Sequence, residues 1–326
     1  MNVIIPVAGI GTRLRPHTHT IPKALITVAG KSILGHILDA VVPLRPDEVV
    51  MVIGYMGNRV IEHVGETHPN LRVRYVTQEE RRGLGHAIYT AREALAKPEP
   101  VLVILGDTIF QADLGAVIGK PWSSIGVMEV VDPERFGVVV LENGFVARMV
   151  EKPDRPVSNL AIAGVYYFTN ARLLGECVTE VVESGVTTKG EFQLTDALQR
   201  MIDRGEKIGT FRLDGWYDCG KKETLLATNR FLLAQRGADA RIDGSVVVPP
   251  VSIAPNARVE RSVVGPYVTV SSGAAIRDSV VRDSIVGRNA CVERSVLEGS
   301  LLGENAVVRG AFRNVDVGDD SEVVLG

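Results

Sequence analysis

Val7-Ala8-Gly9-Ile10-Gly11-Thr12-Arg13-Leu14-Arg15-Pro16-His17-Thr18-His19-Thr20-Ile21-Pro22-Lys23 is the stretch on which the reading of this chain turns. The apolar run from Asn2 to Val7 that leads into it has the continuous hydrophobicity of a buried parallel strand. Gly9 and Gly11 follow, then three cations, Arg13, Arg15 and Lys23. Glycine lets a main chain approach a ligand closely, and its bare N–H groups can form an anion-binding concavity. Cations placed just beyond such a turn suit a polyphosphate, and arginine suits it best because its fork holds two oxygens. The same residues also suit a strand followed by an exposed basic turn.

Two common phosphate motifs are excluded. A dinucleotide fingerprint needs a third glycine where Leu14 stands. Gly30-Lys31-Ser32 ends like a P-loop, but the first glycine of that motif falls on Leu25.

The composition allows a full core and two domains: 326 residues, 45% hydrophobic and 23% charged. A formal net charge of −3 lacks the basic excess that nucleic-acid binding requires. No apolar run is long enough to span a bilayer, and the N-terminal run lacks the basic flank of a signal peptide. Cys177, Cys219 and Cys291 are widely spaced and form no metal pattern, which suggests a reducing compartment. The expected location is cytoplasmic, without nucleic-acid or membrane partners.

Working outward, Ile33, Leu34, Ile37, Leu38 and Val41 share one helical face between Lys31 and Val42. Glu48–Ile53, Leu71–Thr77 and Val101–Leu105 read as strands, with helices at Gly57–Gly65 and from Leu84 to Leu95. This alternation predicts a doubly wound, mostly parallel α/β sheet, whose ligands bind at the carboxyl ends of the strands. Asn143-Gly144 between two apolar runs predicts a hairpin. Further elements are expected at Ala161–Phe168, Ala171–Glu183, Phe192–Arg204, Lys207–Leu213 and Lys222–Gln235.

From about Ile242 the character changes. Apolar steps recur every five or six residues at Ile253, Val259, Val264, Val270, Ile276, Val281, Val286, Val292, Leu297, Leu302 and Val308. Inward-pointing residues at that spacing predict a solenoid of short parallel strands, three per coil. The expected domains are 1–238 and 239–326.

Gly9-Ile10-Gly11-Thr12-Arg13-Leu14-Arg15-Pro16 followed by Pro22-Lys23 resembles the signature of the sugar-1-phosphate nucleotidyltransferases, with the thymidylyl- and uridylyltransferase branch nearest. Ala8 stands where many members carry glycine. The solenoid resembles the left-handed β-helix tail of some of these enzymes. The resemblance implies transfer of a nucleotidyl group from a pyrimidine nucleoside triphosphate, dTTP or UTP, to a sugar 1-phosphate, with glucose 1-phosphate the first candidate. GDP-mannose or UDP-N-acetylglucosamine types are the alternatives within the family.

Residue by residue, the resemblance implies catalytic roles for Arg13 and Lys23. It implies nucleotide contacts from Ala8, Gly9, Gly11, Thr12, Gln78 and Gly83. A glutamine amide donates and accepts together, as a uracil or thymine edge requires. Leu84, Gly137, Glu151, Lys152 and Ile162 correspond to the sugar-phosphate site. Asp107, after Leu105-Gly106, and Asp218, after Trp216-Tyr217, correspond to two Mg²⁺ ligands; this metal favours hard carboxylates and shares its shell with phosphate. Cys219 replaces a frequent threonine.

A non-catalytic homologue that only binds a sugar nucleotide predicts loss of Arg13, Lys23, Asp107 or Asp218, and all four are present. An acetyl-transferring tail predicts a histidine base, and no histidine follows His86. The solenoid is expected to be an assembly or regulatory module, and the chain to form a homo-oligomer.

Overall fold

The first apolar run forms the strand Asn2–Pro6, which pairs in parallel with Glu48–Ile53 on one side and Val101–Ile104 on the other. Glu48–Ile53 continues in parallel to Val73–Thr77. On the far side, Leu160–Phe168 joins antiparallel to Val101–Ile104, and the hairpin Gly137–Glu142 with Phe145–Glu151 extends the sheet from there. Asn143 and Gly144 both take positive φ at the hairpin turn, 51° and 82°, as the Asn-Gly pair predicts.

The computed structural model describes residues 1–235 and 241–310. It falls into two compact units, Met1–Ile26 with Lys31–Leu225, and Thr27–Gly30 with the chain from Leu226 onward. The expected boundary at 238/239 lies outside the described residues.

Several strands of the first unit are not expected from the sequence, Thr108–Gln111 and Ser123–Glu129 among them. Ser123–Glu129 pairs antiparallel with Leu160–Phe168 and parallel with Ile208–Arg212. It is buried over most of its length and begins with two serines, so it shows no apolar–polar alternation. The burial is compensated at Ser123, whose hydroxyl donates to Glu206 Oε1 at 2.6 Å.

Helix α1 covers Ile33–Val41 and is capped by Ser32 Oγ, which accepts from Gly35 N at 2.9 Å. Helix α2 covers Gly57–Thr67, and α3 ends at Thr90, with a separate 3-10 turn from Arg92 to Leu95 completing the expected segment. Helix α4 spans Ala171–Glu183 as expected. Helix α5 starts at Leu194 and not at Phe192, because the Phe192 backbone is committed elsewhere. Its N–H donates to Arg82 O and its carbonyl accepts from Gly85 N, each at 2.8 Å. Helix α6 covers Lys222–Ala234. Among the described residues no helix is long and apolar enough to cross a membrane.

The second unit contains three four-stranded parallel sheets built from two- and three-residue strands, the arrangement of a left-handed β-helix. Val259, Ile276, Val292 and Val308 stack in register along one sheet, and every apolar step named above faces the common interior. Serine hydroxyls close the corners. Ser279 N donates to Ser262 Oγ, 17 residues back, and Ser295 N donates to Ser279 Oγ, 16 residues back. These two corner N–H groups are thereby satisfied by the coil beneath.

Candidate active site

The glycine loop sits at the carboxyl end of Asn2–Pro6. Gly11 takes φ 66°, and a Cβ there would stand 2.9 Å from Lys23 Cβ. Thr18 Oγ1 donates to Gly11 O at 2.8 Å, so the loop is folded back on its own following turn. The 3-10 turns Thr12–Leu14 and Lys23–Leu25 carry Arg13 and Lys23. Ala8 is buried with its methyl against Gly54, where a Cβ would lie 3.1 Å from it. The departure from glycine at position 8 is thus absorbed by a glycine on the neighbouring strand's end.

Gly106 brings the next carboxylate to this loop. Its N–H donates to Pro6 O at 3.1 Å, and a Cβ would collide with Val7 Cγ1 at 2.3 Å. Asp107 follows, and Lys23 Nζ donates to its Oδ2 at 2.8 Å. The Lys23 side chain is 7% exposed and that of Asp107 49%. Burial raises the Asp107 carboxyl, but the Lys23 ammonium, a hydrogen bond from Thr108 and the charge of Arg13 outweigh it and hold it below the ordinary carboxylate range.

Asp218 reaches the same place through a two-stranded ribbon. Gly215–Asp218 pairs antiparallel with Thr108–Gln111, and Asp218 faces Thr108, the neighbour of Asp107. A Cβ on Gly220 would stand 2.8 Å from Asp218 Oδ1 and 2.9 Å from an Arg13 guanidinium nitrogen, so that glycine leaves room for both.

Asp107, Asp218 and Arg13 line a cavity of about 450 Å³. Leu84, Gly137, Glu151, Lys152 and Ile162 line it too. Gly137 faces Glu151 across the hairpin, and a Cβ there would come within 3.0 Å of Glu151 Oε2. That carboxylate accepts from Thr195 Oγ1 at 3.2 Å, while Lys152 Nζ stands 3.5 Å from its Oε1. The Tyr166 hydroxyl, also in the wall, is raised by burial and by the charges of Glu151 and Asp107, so it remains a neutral donor.

Among the described residues no cluster of three or more His, Cys, Asp or Glu side chains is placed to hold a metal unaided. Two hard carboxylates in one cavity nonetheless fit a Mg²⁺ that takes its other ligands from phosphate and water.

The sequence profile of the nucleotidyl transferase family, described as "Nucleotidyl transferase", matches residues 2–235. The chain belongs to this family. A second profile, "GlmU-like, C-terminal hexapeptide", matches residues 227–319. The chain is 35% identical over 76% of its length to the bifunctional protein GlmU of Methanocaldococcus jannaschii, of which it spans 59%. It is 34% identical to the UTP–glucose-1-phosphate uridylyltransferase AglF of Haloferax volcanii, over 66% of this chain and 89% of that one. The glucose-1-phosphate thymidylyltransferase of Streptomyces antibioticus is 33% identical over 76% of this chain and 69% of its own. A crystal structure of UDP-glucose pyrophosphorylase with UDP-glucose superposes with a TM-score of 0.61 at 27% identity, covering 72% of this chain and 99% of that one.

The cavity wall includes all five residues that the resemblance matched to the sugar-phosphate site, both aspartates and Arg13. Lys23 is joined to it through Asp107. Ala8, Gly9, Gly11, Thr12, Gln78 and Gly83 are not in that wall. Gln78 and Gly83 do meet each other: the buried Gln78 amide donates from Nε2 to Gly83 O at 3.2 Å and lies 3.0 Å from His86 Nδ1. Tyr166, Thr195 and Trp216 also line the cavity without a sequence signal, as do Arg135 and Phe136, whose segment Asp132–Gly137 resembles a sugar-phosphate segment of the family but to which the resemblance assigns no role of their own. Phe136 and Trp216 pack edge to face at 4.9 Å, a tertiary contact with no trace in local sequence.

Proposed function

We propose that this chain transfers a nucleotidyl group from dTTP or UTP to a sugar 1-phosphate, with glucose 1-phosphate the first candidate, releasing pyrophosphate. The observation that carries the reading is one cavity walled by Asp107, Asp218, Arg13, Glu151 and Lys152, with Lys23 on Asp107. The names of the uridylyl- and thymidylyltransferase relatives support it.

A phosphate oxygen of the sugar 1-phosphate attacks the α-phosphorus in line. A new P–O bond forms, the bond to the bridging oxygen breaks, and its electron pair leaves with pyrophosphate. The attacking phosphate is already anionic near neutral pH, so the protein's contribution is positioning and charge neutralisation. Asp107 and Asp218 would hold a Mg²⁺, which would supply neutralisation of the triphosphate's charge. Arg13 holds the β- and γ-phosphates, and Lys23 exchanges Asp107 for the α-phosphate. Glu151 accepts from sugar hydroxyls, and Lys152 meets the sugar's phosphate. Gln78 Nε2 donates to Gly83 O and lies 3.0 Å from His86 Nδ1, and the amide oxygen is the atom we assign to accept the N3–H that uracil and thymine share and cytosine lacks.

The GlmU-like hexapeptide match and the archaeal GlmU relative favour a second substrate reading, UTP with an amino-sugar 1-phosphate. Pyrophosphate release across a panel of triphosphates and sugar 1-phosphates separates the two. Release with no pair refutes the reading altogether. Under either version Asp107→Asn lowers kcat by roughly 10²–10³, the scale of one preorganised charge. The solenoid, taken as the domain 239–326, assembles copies of a cytoplasmic enzyme; light scattering with and without it tests that role.

A further inference from the structure

Arg135 lines the cavity without a part in the scheme above. It closes the 3-10 turn Pro133–Arg135, and Phe136 then leads into the strand Gly137–Glu142. Its guanidinium pairs with Asp132, three residues back. It also lies 5.2 Å from the centre of the Phe136 ring, and its second nitrogen stands 4.0 Å from Asp218 Oδ2. Phe136 rests edge-on against Trp216, which shares a strand with Asp218. The cation is therefore held on aromatic support at the carboxylate end of the cavity.

The backbone sets a second cation beside it. Lys152 N donates to Phe136 O at 3.0 Å, and Gly137 faces Glu151 in the adjoining ladder. Arg135 and Lys152 thus leave neighbouring strand ends on the two sides of one hydrogen bond, and both line the same cavity. An ammonium is a point charge and does not orient a tetrahedral anion, whereas a guanidinium fork does.

We propose that Arg135 is a phosphate-binding residue of this site, forming with Lys152 a two-cation clamp on the phosphate of the sugar 1-phosphate, with Asp132 as its resting partner. The inference rests on the reading of the cavity given above. Asp132 and the substrate phosphate compete for one fork. The arginine is 40% exposed and its partner 32%, and pairs in that setting contribute little, so exchanging one for the other costs little. A merely structural Arg135 would instead need Asp132 as much as Asp132 needs it.

The test compares Arg135→Ala, Arg135→Lys and Asp132→Asn in the full chain. The readouts are KM for glucose 1-phosphate and N-acetylglucosamine 1-phosphate, KM for the triphosphate, calorimetric titration of each sugar phosphate against its unphosphorylated sugar, and thermal unfolding. Arg135→Ala should weaken sugar 1-phosphate binding by roughly 10- to 10²-fold, the scale of a hydrogen bond to a charged group. KM for the triphosphate and the melting temperature should hold. Arg135→Lys should recover only part, and Asp132→Asn should leave sugar-phosphate affinity equal or tighter. Unchanged affinity in Arg135→Ala, or Asp132→Asn weakening binding as much as Arg135→Ala does, overturns the clamp while leaving the reaction standing. A wild-type chain that neither binds these sugar phosphates nor releases pyrophosphate overturns the reaction and the clamp together.

Discussion

Gly83→Ala tests whether backbone packing builds the nucleotide side of the site. Gly83 has φ 106° and ψ 176°, a combination open essentially to glycine alone. A Cβ there would lie 2.6 Å from Phe192 O and 2.9 Å from Phe192 N. Ordinary contact begins at 3.4 Å, so the Arg82–Phe192 backbone pair must open by about 0.8 Å or the loop must turn over. Strain in this region costs ~1–3 kcal/mol. Overpacking against atoms that cannot rotate away adds ~1–3 kcal/mol. For a unit of this size the combined effect, ~2–6 kcal/mol, lowers the melting temperature by roughly 4–24 °C. Gly83 O also accepts from Gln78 Nε2, so KM for the triphosphate should rise along with the loss of stability. Gly144→Ala is the control: φ is also positive, 82°, but nothing lies within 4 Å of its Cβ. It should cost only the backbone part, ~1–2 kcal/mol. Thermal unfolding and steady-state kinetics on both variants decide the matter. If Gly83→Ala melts no lower than Gly144→Ala and keeps its KM, the close approach of these two loops is not what holds the site.

Lys23→Ala should lower kcat by roughly 10²–10³ while the chain stays folded; unchanged pyrophosphate release would remove Lys23 from the reaction. Burial pushes the Cys177 thiol up to about 11 from an ordinary 9.0. Native protein at pH 8 should therefore leave Cys177 unlabelled by iodoacetamide. Because the unfolded thiol ionises first, stability should fall as pH rises from 9.0 toward about 11, and Cys177→Ala should flatten that slope. Ser279→Ala leaves Ser295 N without its 3.1 Å acceptor in a buried corner and should destabilise the solenoid by ~1–3 kcal/mol in urea titration; no change in midpoint would mean that the corners relax freely.

The sequence by itself determined the elements whose reason is local. Continuous apolar runs became central strands, since a parallel strand buried on both faces has no polar positions to show. Asn143-Gly144 became a hairpin because its φ values admit few other residues, and five- and six-residue apolar steps became coils because only a closed solenoid buries them all. Gly11, Arg13 and Lys23 stand out beside the first of those runs, whereas Asp107 and Asp218 were singled out only by the family resemblance.

Tertiary structure decided the rest. Ser123–Glu129 is a strand because two neighbours supply its hydrogen bonds, and its own residues do not alternate. The helical stretch begins at Leu194 because Phe192 spends its backbone on Arg82 and Gly85. Asp107 and Asp218 meet because Thr108–Gln111 and Gly215–Asp218 pair antiparallel over a long separation in the chain. Arg135 faces Asp218 because Phe136 leans on Trp216. Contacts of that kind depend on which distant surfaces are brought together, and hydrophobic periodicity along a single segment holds no information about them.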